Sequence, residues 1–134
     1  MEEYIDKEAY ELSLGQKQRI TIAGVLSIGA KYIVMDEPTA MLDPEGKEEI
    51  KKIVMKLKEE GFTIIYITNV AGEIFISDRT IMIEKGKIIK EFETKDILEN
   101  VQFLREKGII IPKTIELIDK LKSKGIEINL KELM

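Results

Sequence analysis

Asp36 and Glu37 are adjacent carboxylates that end the short apolar run YIVM at residues 32–35. A carboxylate at the end of a buried strand can bind Mg²⁺ through the ion's hydration shell, because magnesium dehydrates reluctantly and takes few protein ligands. A second carboxylate beside it can orient a water and remove its proton. Chemistry on a phosphate needs little more than such positioning and charge stabilisation. Upstream, Ser13, Leu14, Gly15 and Gln16 stand where a helix is expected to begin, and the unpaired N–H groups of a helix start attract anions. Downstream, Asp43 precedes Pro44, and Asn69 follows a second apolar run, FTIIYIT at 62–68. Each feature also has a plainer reading. Acids after an apolar run are often a strand running out into solvent, and Ser13 or Asp43 can simply cap a helix. A lysine-bearing glycine loop of the form G-x-x-x-x-G-K-[ST] would normally hold the phosphate, yet none of the residues before Tyr32 spells it.

Composition narrows the chemistry further. The 134 residues contain neither histidine nor cysteine, so disulfides and thiolate metal sites are excluded, and catalysis would have to run on carboxylates and oxygen-bound metals. With 44% hydrophobic and 34% charged residues the chain reads as folded and well charged, one domain at most. A net charge of −4 argues against broad electrostatic binding to nucleic acid. No stretch approaches 18 consecutive apolar residues, and the acidic start MEEYIDKEAYEL is unlike a secretory signal, so a cytoplasmic location is expected.

The elements that must position these residues are legible as patterns. A helix is expected from about Ser13 to Gly29, with Ile20, Ala23 and Leu26/Ser27 at helical spacing. The run KYIVMDE reads as a strand buried on both faces in a parallel sheet, and FTIIYIT as a second one. Between them, Asp43 as N-cap, Pro44 at the first position, Ile50, Ile53, Val54 and Leu57 on one face and Gly61 at the end describe an amphipathic helix. Strand, helix and strand then form a parallel crossover. Residues 80–92 read as a hairpin about Lys85-Gly86. The tail reads as a helix opened by Thr94 and closed by Gly108, then one from about Pro112 to Lys124 with Ile115, Ile118 and Leu121 inward.

In this order and spacing the motifs resemble the C-terminal half of the nucleotide-binding subunit of an ATP-binding cassette (ABC) transporter. LSLGQKQR is similar to the signature LSGGQ with its basic extension, IVMDEP to the Walker B strand, and AMLD to the D-loop. TIMIEKGKIIKEF is similar to the hairpin after the switch region, and IPKTIELIDKLKSKGIEI to the C-terminal extension of the cobalt and energy-coupling-factor subgroup. The resemblance implies an α/β fold, part of a P-loop NTPase, with parallel strands, flanking helices, a small hairpin and a helical tail. It divides the chain into an ATPase part, 1–93, and an extension, 94–134. It implies Asp36 at Mg²⁺ and Glu37 as the base. Ser13, Leu14, Gly15 and Gln16 would face the γ-phosphate of ATP held by a facing subunit, Asp43 would link the two sites, and Asn69 would stand at the switch position. The implied partners are a phosphate-loop-bearing ATPase half or second ATPase subunit and, indirectly, a membrane subunit at the inner face of the cell membrane.

Two positions depart from the family pattern. Leu14 replaces the first glycine of the signature, where a side chain crowds the backbone's approach to phosphate. Asn69 stands in place of a histidine and cannot carry a positive charge. Two readings follow. In the first, the chain is one half of a split ATPase, inactive until a phosphate-loop partner completes it, binding ATP and Mg²⁺ only then. In the second, it is a non-catalytic, self-associating interaction module or remnant. Strands lacking their usual neighbours lead either reading to expect self-association of the isolated chain.

Overall fold

The computed structural model describes residues 8–125, and the chain divides into two compact units after Thr68. The expected α/β class is observed, with small sheets and flanking helices.

In the first unit, helix α1 (Leu14–Ser27) opens on a capping box. Ser13 Oγ accepts from the Gln16 amide at 3.2 Å, and Gln16 Oε1 accepts from the Ser13 amide at 2.8 Å. Strand β1 (Tyr32–Asp36) is followed by α2 (Pro44–Glu59), with Asp43 Oδ1 accepting from the Gly46 amide at 2.8 Å and Pro44 in the first turn, as its sequence predicts. Strand β2 (Thr63–Ile67) lies parallel to β1 in the register Tyr32↔Thr63 through Asp36↔Ile67, completing the crossover. Ile50, Val54 and Leu57 of α2 are buried, as are Ile33 and Met35 of β1 and Ile22 of α1.

Two expectations fail here. The strands are not buried on both faces: Tyr32 and Val34 of β1 are 79% and 64% exposed, and Ile65 and Ile67 of β2 are exposed beside them. Helices of this unit cover one face of a two-stranded sheet, so period-two alternation replaces the double burial that a continuous apolar run suggests. In α1 the apolar residues at helical spacing do not mark the buried face. Ile20, Ala23 and Ser27 are exposed, Leu26 is half-buried, and Ile22 is the buried residue. Apolar residues occur on several sides of α1, and spacing alone could not choose among them.

The second unit holds strands β3 (Arg79–Glu84) and β4 (Lys87–Glu93), an antiparallel hairpin. Its turn residues Lys85 and Gly86 have φ of 49° and 74°, the left-handed pair of a tight primed turn. Helices α3 (Ile97–Glu106) and α4 (Lys113–Lys122) follow. Phe92, Ile97, Val101, Leu104, Ile111, Ile115 and Ile118 form one buried cluster, and Leu121 is half-buried. Arg105 and Asp119 pair at 3.1 Å between α3 and α4. Thr94 does not cap α3. It is buried at the start of a short 3-10 turn, Thr94–Asp96, with its hydroxyl 3.4 Å from that of Ser77. The tail beyond Gly125 lies outside the described residues. Among the described residues no helix is long and apolar enough to cross a membrane.

Candidate functional site

The starts of α1 and α2 line one open pocket of about 310 Å³. Ser13, Leu14, Gly15 and Arg19 come from α1 and its cap, Met41, Leu42 and Asp43 from the loop after β1, and Glu45, Gly46 and Glu49 from α2. Four sequence-predicted residues, Ser13, Leu14, Gly15 and Asp43, are thus gathered. Capping determines what they offer. The Gln16 amide is taken by Ser13 Oγ and the Lys17 amide by the Ser13 carbonyl at 2.9 Å, so the helix start presents chiefly the amides of Leu14 and Gly15. Gln16 does not line the pocket, because its side-chain oxygen turns back to the Ser13 amide.

Gly15 and Leu42 bring the two helix starts close: a methyl group added at Gly15 would stand 4.0 Å from Leu42 Cδ2. Gly46 is tighter. A Cβ there would meet Asp43 Oδ1 at 2.9 Å, so only glycine leaves room for the aspartate to cap its own helix. Arg19 and Glu49 form an ion pair across the pocket. Sequence reading missed Arg19, Glu49 and Gly46 as site residues. A signal existed: Arg19 follows the cap Ser13 by six residues, as Glu49 follows the cap Asp43.

Asp36 and Glu37 are not in this pocket. Asp36 ends β1, exposed, at the rim of a second cavity of about 190 Å³ between β1 and α1, lined also by Gln18, Thr21, Ile22 and Val25. Glu37 is exposed, with φ of 43°, and the loop then folds back through bonds from Ala40 to the Glu37 carbonyl at 3.0 Å and from Leu42 to the Thr39 carbonyl at 3.3 Å. Met41 within it is also left-handed, with φ of 62°, and almost fully exposed. Asn69 begins the second unit. Among the described residues no three carboxylates converge as a metal cage. An exposed carboxylate at a strand end still suits a hydrated Mg²⁺ whose other ligands are water and phosphate.

Residues 1–40 match the protein family described as ABC transporter. The energy-coupling factor transporter ATP-binding protein EcfA1 of Caldanaerobacter subterraneus is 42% identical over 96% of this chain and 47% of its own length. Among solved structures, CbiO1 from Clostridium perfringens, part of the ABC transporter complex CbiONQ, superposes with a TM-score of 0.67 at 35% identity, covering 89% of this chain and 48% of that one. A dimeric ATP-binding cassette bound to ADP and phosphate superposes with a TM-score of 0.62 at 28% identity, over 70% of this chain and 41% of that one. The chain therefore spans less than half the length of the relatives it matches.

Proposed function

From the premise that the chain is homologous to ABC transporter ATP-binding proteins of the energy-coupling factor type along nearly its whole length, we propose that it supplies the signature and Walker B portion of a composite ATP site. In this reading the phosphate loop comes from polypeptide outside residues 1–134, continuous with the chain or separate from it. Residues 1–93 contribute the ATPase part and 94–134 an appended extension.

The observation that carries the reading is the pocket in which Ser13, Leu14 and Gly15 meet Asp43. Once the site is complete, ATP is held by a facing subunit and the Leu14 and Gly15 amides approach its γ-phosphate. The hydroxyl of Ser13 accepts one hydrogen bond from Gln16 and keeps its own proton to donate. Asp36 suits Mg²⁺ and Glu37 the attacking water. Magnesium, when bound, supplies charge neutralisation between the phosphates. Partners are a second ATPase subunit and, through it, a membrane subunit at the cytoplasmic face.

The exposed apolar row Tyr32, Val34, Ile65 and Ile67 supports an incomplete domain that packs against further polypeptide. It equally supports the second reading, a self-associating module without turnover. Calorimetric titration of the chain alone with ATP and Mg²⁺ is expected to show weak binding or none, and mixing with a phosphate-loop fragment of an EcfA-type relative is expected to restore phosphate release. Low-micromolar binding by the chain alone would refute the composite site. Failure of any phosphate-loop fragment to assemble with it, alongside a stable homodimer in light scattering, would establish the non-catalytic module.

A further inference from the structure

The two helix starts that line the pocket are each fixed locally, but their caps do not relate one helix to the other. Ser13 and Gln16 set the first turn of α1, and Asp43 and Gly46 set that of α2. Between the helices, Gly15 faces Leu42 with room for a methyl group, an apolar approach that carries no directional bond. Among the described residues, a directional link between the two helices is the ion pair of Arg19 and Glu49. Both residues lie six positions beyond their caps, so the pair forms a crossbar at matched depth, about 9 Å behind each helix start at 1.5 Å per residue.

Resting on the composite ATP site proposed above, we infer that Arg19 is a positioning residue which, through Glu49, sets how far apart the amides of Leu14 and Gly15 and the side chain of Asp43 are presented. The side chains of Arg19 and Glu49 are 23% and 45% exposed. An ion pair at such exposure adds little to stability. Its effect is geometric: Arg19 Nη1 meets Glu49 Oε2, and a planar guanidinium holds the direction of that bond more narrowly than a lysine ammonium does. A displacement near 1 Å in a positioning group can lower a rate by about 100-fold.

The test uses the full chain in two measurements. In the complex with a phosphate-loop fragment, Arg19→Ala and Glu49→Ala are each expected to lower kcat by about tenfold or more with KM for ATP changed less than about twofold. Arg19→Lys should fall between wild type and alanine, and the charge swap Arg19→Glu with Glu49→Arg should recover most of the loss. In the chain alone, the absence of native cysteine allows Lys17→Cys and Glu48→Cys to carry paired spin labels. The distance distribution between them is expected to be narrow in wild type, broad in Arg19→Ala and narrow again in the swap. Full turnover in Arg19→Ala, or a swap no better than the single variants, overturns the inference. If the wild-type complex shows no turnover, the composite site itself fails, and the spin-label distances alone decide whether the crossbar positions the helices.

Discussion

The backbone amide of Glu37 donates to the carbonyl of Ile67 at 2.9 Å, one residue past the end of β1. The bond extends the parallel ladder beyond the Asp36↔Ile67 pair while Glu37 itself turns left-handed. Asp36 thus keeps strand geometry and Glu37 leaves it, which separates the directions of two neighbouring carboxylates without a residue between them. In a completed site, Glu37→Gln keeps size and hydrogen bonding and removes the proposed base. Phosphate release is expected to drop by about 100-fold or more, with ATP affinity unchanged by calorimetry. Equal turnover with glutamine would assign the base elsewhere.

Gly46 and Asp43 give a prediction whose sign depends on background. Gly46→Ala in the native chain drives a Cβ against the Asp43 carboxylate oxygen and is expected to cost about 1–2 kcal/mol through the lost cap. Asp43→Ala alone should cost about 1 kcal/mol. With Asp43 already replaced, Gly46→Ala should become neutral or stabilising by up to about 1 kcal/mol, because alanine favours the helix. Urea midpoints of wild type and the three variants test the reversal.

Lys85, exposed and with φ of 49° ahead of Gly86, occupies a conformation that asparagine tolerates better. Lys85→Asn is expected to stabilise the hairpin by about 0.5–1 kcal/mol, read as slower amide exchange along β3 and β4. Unchanged exchange would mean that the turn does not limit hairpin opening.

Stability should be nearly flat between about pH 5 and 8, since the chain lacks histidine. On the acid side, a hydrogen bond from Lys51 holds the Glu48 carboxyl below its usual range. A depressed folded value means that its small contribution is present above the ordinary glutamate range and is lost as pH falls through the lowered one. On the alkaline side, Glu93 raises Lys95, whose contribution is present below the ordinary lysine range and disappears as pH rises through the raised value. Glu48→Gln should flatten the acid limb of the unfolding midpoint and leave the alkaline limb alone.

Local signals carried the fold far. Asp43, Pro44 and the spacing of Ile50, Val54 and Leu57 specify α2 almost residue by residue, and Lys85-Gly86 marks its turn because both depend on neighbours in the chain. The faces of β1 and the phase of α1 were not legible, since they depend on what covers each side. Tyr32 and Val34 carry the side chains of a buried strand and stand exposed. Within the site, the caps Ser13 and Asp43 were readable as helix starts, whereas their meeting in one pocket and the Arg19–Glu49 pair are tertiary facts joining residues 30 positions apart.

The two sheets differ in how much chain each must close, and this implies a folding order. The hairpin begins pairing at Glu84↔Lys87, three residues apart, while the parallel pair begins at Tyr32↔Thr63 and must first gather α2 into the crossover. Closing a longer loop carries a larger entropic barrier, and non-local parallel pairing is intrinsically slow. During refolding, amides of β3 and β4 are therefore expected to gain protection from exchange before those of β1 and β2. The strand that ends in Asp36 would then be among the last to form, leaving Tyr32, Val34, Ile65 and Ile67 as the surface most open to aggregation while the chain waits for that pairing.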